Sequence, residues 1–403
     1  MTTLQPCDYV VMHQFWGPNH LARLRQLTRV ARERHLEVCG LEISTRQVDY
    51  PWIVADQPEI VRKVTMFPGK AVEEVRDLDL VRQTWVHLNA LNPRALAIQG
   101  YTTAGMLTAL VWALCHKRGT VLMMDSHYAS RPRSGGKEGI KKAIMSRFDA
   151  VFTSGLQSRR YAEYLGMAPE RIFRGVDVVD NDYYAAQAES IRRDADRFRE
   201  AYSLPEKYFL CVSRLIPGKN IDGLLTAYSQ YYHQAGREAW GLVICGSGSL
   251  EDGLKRQAQD LGLDRVMFTG FVQIDTLPVF YSLARCLVFP TLKDTWGLVV
   301  NEALAVGLPV LASTGVGCAP DLIQPGKNGY LFDPRHPDEL SRLLLKMSSP
   351  ETDLTAMGQV SRQIVADWSL DTYAQNLLAA LDVAGVRKTG NLSCTLRLPK
   401  KCV

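Results

Sequence analysis

Short apolar runs alternate with helix-forming stretches along most of this chain, and the alternation stops once and begins again. The first series runs through Tyr9–His13, Leu36–Ile43, Leu96–Gln99, Thr120–Met124 and Ala150–Thr153. Between the runs lie a basic helix to about Arg34, with Leu21, Leu24, Leu27 and Val30 at helical spacing, a helix at Gly105–Lys117 and another near Lys137–Arg147. Arg174-Gly175-Val176-Asp177 closes this series, a charged helical stretch from about Tyr184 to Tyr202 follows, and Ser203-Leu204-Pro205 breaks it. The second series begins at Tyr208–Val212 and continues through Gly241–Cys245, Val266–Thr269, Cys286–Pro290 and Pro309–Ala312. Strands alternating with helices specify an α/β fold with a parallel sheet covered on both faces. A chain of 403 residues is too long for one core, so two Rossmann-like sheets, one per half, are expected. Such sheets bind ligands at the carboxyl ends of their strands. Two facing halves would enclose a ligand in the cleft between them.

The expected organisation is an N-terminal domain over 1–182, a linker helix over 183–206, a second domain over 207–366, a further helix over 367–385 and a basic tail over 386–403. Trp368, Tyr373, Leu377, Leu378 and Leu381 form the apolar stripe of that further helix, with Ser369 as its cap. The tail carries Arg387, Lys388, Arg397, Lys400 and Lys401 and reads as disordered.

Composition narrows the class. Hydrophobic residues make up 46% and charged residues 22% of the chain, as in ordinary globular proteins. The net charge of +5 is mild; it suits phosphorylated ligands or an anionic surface. No module of interleaved aromatic and basic residues supports a nucleic-acid partner. The nine cysteines form no CxxC pair, and Cys211, Cys245 and Cys286 fall inside strands, so reduced thiols and a cytoplasmic setting are expected. Asp8 stands where a signal peptide would be apolar. The uncharged stretch from Ala95 to Cys115 is interrupted by Gln99, Gly100, Tyr101, Thr102 and Thr103, and reads as a strand and a buried helix rather than a membrane span. The histidines are dispersed along the chain, and no metal cluster is expected.

The segment from Leu287 to Val310 carries the most chemistry: strand, loop, helix, turn, strand. Asp294 lies in the loop, Gly297 lets backbone approach a ligand, and the amides of Leu298 and Val299 open the helix where phosphate oxygens bind. Trp296 sits in the same loop, and Glu302 about one turn into the helix. Asp294 could accept from sugar hydroxyls and Glu302 from a ribose diol, since a carboxylate offers several acceptor sites and no donor. Arg214 and Lys219 stand in the loop after Tyr208–Val212, where two cations can hold a diphosphate. Solvated surface charges are the plain alternative. Gly246 and Gly248 form a Gly-x-Gly loop that reads equally as a tight turn. Backbone groups around Phe271, after Thr269-Gly270, could read a base.

Together these segments resemble family four of the retaining glycosyltransferases, most strongly from about Tyr208 to Asp333. That family has a basic Arg and Lys pair, a Gly-x-Gly loop, and two glutamates with seven residues between. Here Arg214 and Lys219, Gly246 and Gly248, and Asp294 and Glu302 take those places in the same order. The resemblance implies a GT-B architecture, with two Rossmann-like domains facing across a cleft and the last helix crossing back to the first. It implies transfer of a hexose from a UDP- or GDP-linked sugar to a saccharide, lipid-linked or natural-product acceptor, with retention and without a metal or other cofactor. One position departs: Asp294 stands where the family has Glu, which shortens the reach by about 1.5 Å and bears on the choice of sugar.

By the same resemblance His127, after Thr120–Met124, would contact the donor sugar or orient the acceptor, and Gly17, in Trp16-Gly17-Pro18-Asn19, would meet the donor phosphates. Asp125, Arg131 and Arg133 are acceptor-side candidates. Arg131, Arg133, Lys137, Lys141, Lys142 and Arg147 suggest an anionic acceptor or a peripheral contact at the inner membrane face; a solvated helix face is the plain alternative. A catalytically silent nucleotide-sugar-binding protein and a GT-B phosphorylase or epimerase are the alternatives to a transferase.

Overall fold

The computed structural model describes residues 4–47, 52, 61–130 and 134–385. The described residues divide into two units, the first holding those within 4–154, 158–176 and 370–385, the second Gly155–Gln157 and Asp177–Ser369.

The first unit is built on seven strands: β1 (Tyr9–His13), β2 (Val38–Arg46), β3 (Lys63–Ala71), β4 (Ala95–Gln99), β5 (Gly119–Met124), β6 (Ala150–Thr153) and β7 (Ile172–Arg174). All pair in parallel in the order β3-β2-β1-β4-β5-β6-β7. Tyr9 pairs with Val38 on one side and Ala95 on the other, so the strand order reverses at β1. Its helices are α1 (Pro18–Glu33), α2 (Asp77–Leu91), α3 (Ala104–Cys115), α4 (Gly135–Met145) and α5 (Leu156–Tyr164). The edge strands β3 and β7 escape a reading by apolar runs. β3 contains Pro68 and Gly69, which an edge tolerates because one side makes no ladder bonds.

The second unit has six strands: β8 (Tyr208–Val212), β9 (Gly241–Cys245), β10 (Val266–Gly270), β11 (Cys286–Phe289), β12 (Val310–Ser313) and β13 (Gly329–Phe332). They run parallel in the order β10-β9-β8-β11-β12-β13, with the reversal between β8 and β11. The surrounding helices are α6 (Asn181–Arg193), α7 (Ala195–Tyr202), α8 (Ile221–Ala235), α9 (Glu251–Asp260), α10 (Leu277–Leu283), α11 (Leu298–Ala305), α12 (Ala319–Leu322), α13 (Pro337–Ser348) and α14 (Leu354–Ala366). The expected single linker helix over 183–206 is two helices, α6 and α7, that belong to this unit. α6 packs on α10 and α11, and Asp180 caps it by accepting from the Tyr183 amide at 3.0 Å.

The chain then returns to the first unit as α15 (Leu370–Gly385). Tyr373, Leu377, Leu378 and Leu381 are buried against β4–β7 and α1, while Trp368, which completes the expected stripe, lies in the second unit. The expected tail over 386–403 lies outside the described residues. Cys211, Cys245 and Cys286 are buried free thiols in β8, β9 and β11.

α15 closes on β5 at Gly119, where a Cβ would stand 2.4 Å from the Ala384 carbonyl oxygen. Backbone cannot swing aside as a side chain can. Gly119→Ala is therefore expected to destabilise the first unit by about 1–3 kcal/mol. A drop in the thermal unfolding midpoint checks this, and an unchanged midpoint would show that α15 yields freely.

Candidate functional site

The reversal between β8 and β11 is where an open α/β sheet leaves a crevice at the carboxyl ends of its strands. The loops after β8, β9, β11 and β12 meet there through their backbones. Ser213 donates its amide to Cys245 O at 2.9 Å, and Leu215 donates to Ser247 O at 2.9 Å. A Cβ on Gly246 would fall 1.8 Å from Ser213 O, and one on Gly248 2.4 Å from Leu215 O. The Gly-x-Gly pattern is thus required by the loop that carries Arg214, which needs no ligand to explain it. After β12, Gly315 and Gly317 do the same for the Asp294 loop: their Cβ positions lie 2.3 Å from Leu292 O and 1.9 Å from Thr295 O. The sequence reading passed over this second Gly-x-Gly, although its spacing matches the first.

Lys219 and Asp294 form an ion pair with Nζ–Oδ2 at 2.5 Å, their side chains only 15% and 17% exposed. The Lys219 ammonium also lies 5.5 Å from the Phe289 ring centre. The next residue, Asn220, takes the left-handed conformation (φ 55°), and its amide group donates to Pro290 O at 3.2 Å and Pro334 O at 2.9 Å. Leu292 donates to Gly218 O at 3.0 Å. The β8 and β11 loops are therefore locked together. Asp294 is held at both ends, with its amide on Gly315 O and its carbonyl accepting from Gly317, each at 3.0 Å. Its Oδ1 also accepts from the Trp296 amide at 3.3 Å.

Gly297 caps α11 at φ 100° and ψ 68°. That conformation favours glycine, and a Cβ would also meet the Phe289 ring at 2.9 Å. Leu298 and Val299 open the helix, so their amides have no intrahelical acceptor. Trp296 is buried: its indole N–H donates to Asn301 Oδ1 at 2.9 Å and its ring lies 4.8 Å from that of Trp368. The structure thus gives its side chain a supporting place beneath the loop. Arg214 and Phe271 are half-buried in the loops that follow β8 and β10.

Glu302, in α11, is 5% exposed and accepts from the Tyr281 hydroxyl at 2.7 Å. Tyr184 of α6 sits edge-on to Tyr281, ring centres 6.1 Å apart. Burial, and then the charge of Glu302, push both phenols well above their ordinary pKa. The two tyrosines reach Glu302 from helices distant in sequence, which is why a local motif reading missed them.

In the first unit the loops after β1 and β5 carry the remaining candidates. Glu42 in β2 is buried and accepts from the Trp16 amide at 2.9 Å, Lys63 Nζ at 2.8 Å and Thr65 Oγ1 at 2.6 Å. It anchors the turn in which Gly17 caps α1. Gly17 has φ −65°, and a Cβ there would make only ordinary contact with Phe15, so packing does not demand glycine. His13 and His20 lie beside Trp16 with their rings tilted, ring centres 4.3 Å (His13–Trp16) and 4.6 Å (His13–His20) apart. Burial, then the charge of Arg23, lowers His20 to about 3, and burial lowers His13 well below its usual value, so both are neutral near pH 7. His127, after β5, is buried, with its carbonyl accepting from Ser130 Oγ at 2.7 Å, and Asp125 is exposed. Arg131 and Arg133 lie outside the described residues. Lys141, expected on a solvated or anion-binding face, is engaged instead by Glu138 at 2.8 Å and Tyr161 Oη at 3.1 Å.

Residues 192–363 match the family model of glycosyl transferases group 1. The chain is 29% identical over 329 residues to a GDP-mannose-dependent alpha-(1-6)-phosphatidylinositol monomannoside mannosyltransferase of Mycobacterium tuberculosis, covering 77% of this chain and 80% of that one. It is 28% identical over 221 residues to the serotype-specific mannosyltransferase WbdA of Escherichia coli, covering 52% of this chain and 26% of that longer protein. Among solved structures, Anabaena HepE with UDP and glucose aligns over 93% of this chain and 99% of its own at TM-score 0.70 and 16% identity. Sucrose-phosphate synthase from Thermosynechococcus elongatus aligns over 93% and 98% at TM-score 0.70 and 19% identity.

Removing the Tyr281 hydroxyl leaves a buried carboxylate short of a charge-assisted donor. Tyr281→Phe is expected to cost about 1–3 kcal/mol of stability. In a Glu302→Gln background the same change should cost clearly less. Equal losses in both backgrounds, by denaturant titration, would show that the two side chains are not coupled.

Proposed function

We propose that this chain, which has the GT-B fold, is a glycosyl transferase of group 1 that moves a hexose, with mannose from GDP-mannose as first candidate, to a lipid-linked or saccharide acceptor. We further propose that the transfer retains anomeric configuration and needs no metal. The observation that carries the reading is the set formed by Lys219, Asp294, Gly297 and Glu302 at one sheet crevice, inside the span matching the family model. The candidate donor comes from the mycobacterial relative's name, and the carboxylate pair supports it only as a sugar and ribose site.

In the proposed reaction the bond between the anomeric carbon and the diphosphate oxygen breaks, and the acceptor oxygen bonds to that carbon. The acceptor's proton passes to a phosphate oxygen, so the nucleoside diphosphate leaves with the charge balanced. Arg214, Lys219 and the amides of Leu298 and Val299 face the departing charge, in place of a divalent ion. An ammonium has three donors; with one on Asp294, two remain for phosphate oxygens. Asp294, fixed by Lys219 and the Trp296 amide, is the acceptor for sugar hydroxyls. Glu302 takes the ribose diol with Tyr281 behind it. His127 and Asp125 serve the acceptor side, and Gly17 the donor phosphates. Gly246 and Gly248 act through the Arg214 loop they support, and Phe271 lies on the base side.

A panel of GDP- and UDP-sugars, read by nucleotide release with candidate acceptors, tests the assignment. GDP-mannose should be turned over, at a rate unchanged by EDTA, and the product anomer read by NMR should match the donor's. Lys219→Ala should lower kcat/KM by about 10²–10³-fold with the fold intact, and Glu302→Ala should act chiefly on donor affinity. Donor binding without turnover in the wild type would favour a silent binding protein, and turnover with inorganic phosphate alone a phosphorylase.

Among the described residues no helix is long and apolar enough to cross a membrane. A peripheral membrane contact is supported by α4 and its surroundings, where Ile140 is 63% exposed beside exposed Tyr128 and Tyr164, and Lys142 lies 4.4 Å from the Tyr164 ring centre. Lys142→Glu with Ile140→Asp should abolish flotation with phosphatidylglycerol vesicles while leaving transfer to a soluble acceptor unchanged. Flotation that persists would remove α4 as the contact.

A further inference from the structure

The second unit has a cavity of about 360 Å³ at the end of its sheet opposite the crevice. Arg285 directly precedes β11 and Pro309 directly precedes β12, so the cavity opens at the amino ends of strands whose carboxyl ends carry Asp294 and the Gly315 loop. The helix α11 joins the two regions: Gly297 begins it at the crevice, and Val306 ends it at the cavity. Its eight residues span about 12 Å.

Arg192, Arg199, Arg285 and Arg362 line this cavity together, and no carboxylate is among its lining residues. Arg192 is fixed, donating Nε to Ser282 O at 2.9 Å and Nη2 to Val306 O at 3.0 Å, which satisfies the carboxyl ends of α10 and α11. Partial burial and then the like charges of Arg362 and Arg285 hold its pKa below the usual guanidinium value. Arg199 pairs with Asp196 at 3.2 Å, but that carboxylate is fully exposed, and the Arg199 Nε is buried with no hydrogen-bond acceptor. Arg362 packs its guanidinium over Gly307, where a Cβ would meet its Cζ at 3.1 Å. Thr355, in the first turn of α14, adds a hydroxyl and a helix-start amide.

Guanidinium groups converging on a cavity repel one another, and an unpaired buried N–H costs free energy. One ligand chemistry relieves both. Phosphoryl oxygens accept from planar N–H forks in pairs, and a helix start favours the same charge. A cavity of about 360 Å³ has room for a diphosphate. We propose that this cavity is a second anion site, separate from the donor site, that binds a phosphate or diphosphate group. The group could belong to a soluble metabolite or to a lipid headgroup.

The test is calorimetric titration of the full chain with inorganic pyrophosphate, carried out in a Lys219→Ala background so that donor-site binding is suppressed. Pyrophosphate should bind the Lys219→Ala protein, and adding Arg285→Glu and Arg362→Glu should weaken it by about tenfold or more. Circular dichroism checks that each protein is folded. Should the double charge reversal not fold, Arg285→Gln removes one charge and keeps a polar side chain, and the same direction of change is expected. A parallel arm uses phosphatidylcholine vesicles with and without phosphatidic acid. Arginine-dependent binding of pyrophosphate assigns the phosphate to a soluble ligand, and arginine-dependent binding of phosphatidic acid vesicles alone assigns it to a lipid. If neither binding depends on these arginines in folded protein, the proposal is overturned. Activity that fails in the Lys219→Ala protein bears only on the donor site, so the two readings fall separately.

Discussion

Lys219 and Asp294 are 75 residues apart and meet at 2.5 Å. Their contact is the visible part of a larger constraint, the backbone-to-backbone packing of four loops at the carboxyl ends of β8, β9, β11 and β12. Gly246, Gly248, Gly315 and Gly317 each stand where a Cβ would fall within 2.4 Å of a neighbouring carbonyl oxygen. Those approaches set where Arg214 and Asp294 can be. Asn220 then ties the β8 loop to Pro290 and Pro334. A charged pair so enclosed is held by its surroundings more than it holds them, since desolvation offsets much of its own attraction.

The helix α11 carries the other half of the site. Its start depends on Gly297 in a left-handed conformation, its middle on Glu302 held by Tyr281, and its end on Arg192 capping the Val306 carbonyl. Trp296 and Asn301 pin its first turn from below. One short helix therefore links the crevice at the carboxyl ends of the strands with a basic cavity at the opposite end of the sheet. A rigid element positions such a carboxylate more closely than a loop does.

Much of this architecture was legible in residue order. The apolar runs of β1, β8, β9 and β11 announce buried parallel strands, and the stripe from Tyr373 to Leu381 announces a buried helix. The edge strands β3 and β7 were not legible, because an edge need not be apolar or long. Arg214, Lys219, Asp294, Gly297 and Glu302 were legible as a pattern of spacing. Tyr184 and Tyr281 were not, because they approach Glu302 from α6 and α10 and bear no fixed spacing to it. The same holds for the four arginines of the basic cavity, which come from α6, α7, α14 and the approach to β11.

The sequence by itself determined the fold class, the two series of strands and helices, and the glycines and charged residues at the strand ends. These follow from local periodicity and from glycine and charge at fixed offsets, which act over a few residues. Tertiary structure alone decided that Lys219 is paired with Asp294, that the Gly-x-Gly loop supports Arg214, that Trp296 is a buried strut and that Glu302 has tyrosines behind it. Each of those depends on which carbonyl, ring or carboxylate arrives from a distant segment. Only the assembled sheet and its packed helices bring them within bonding distance.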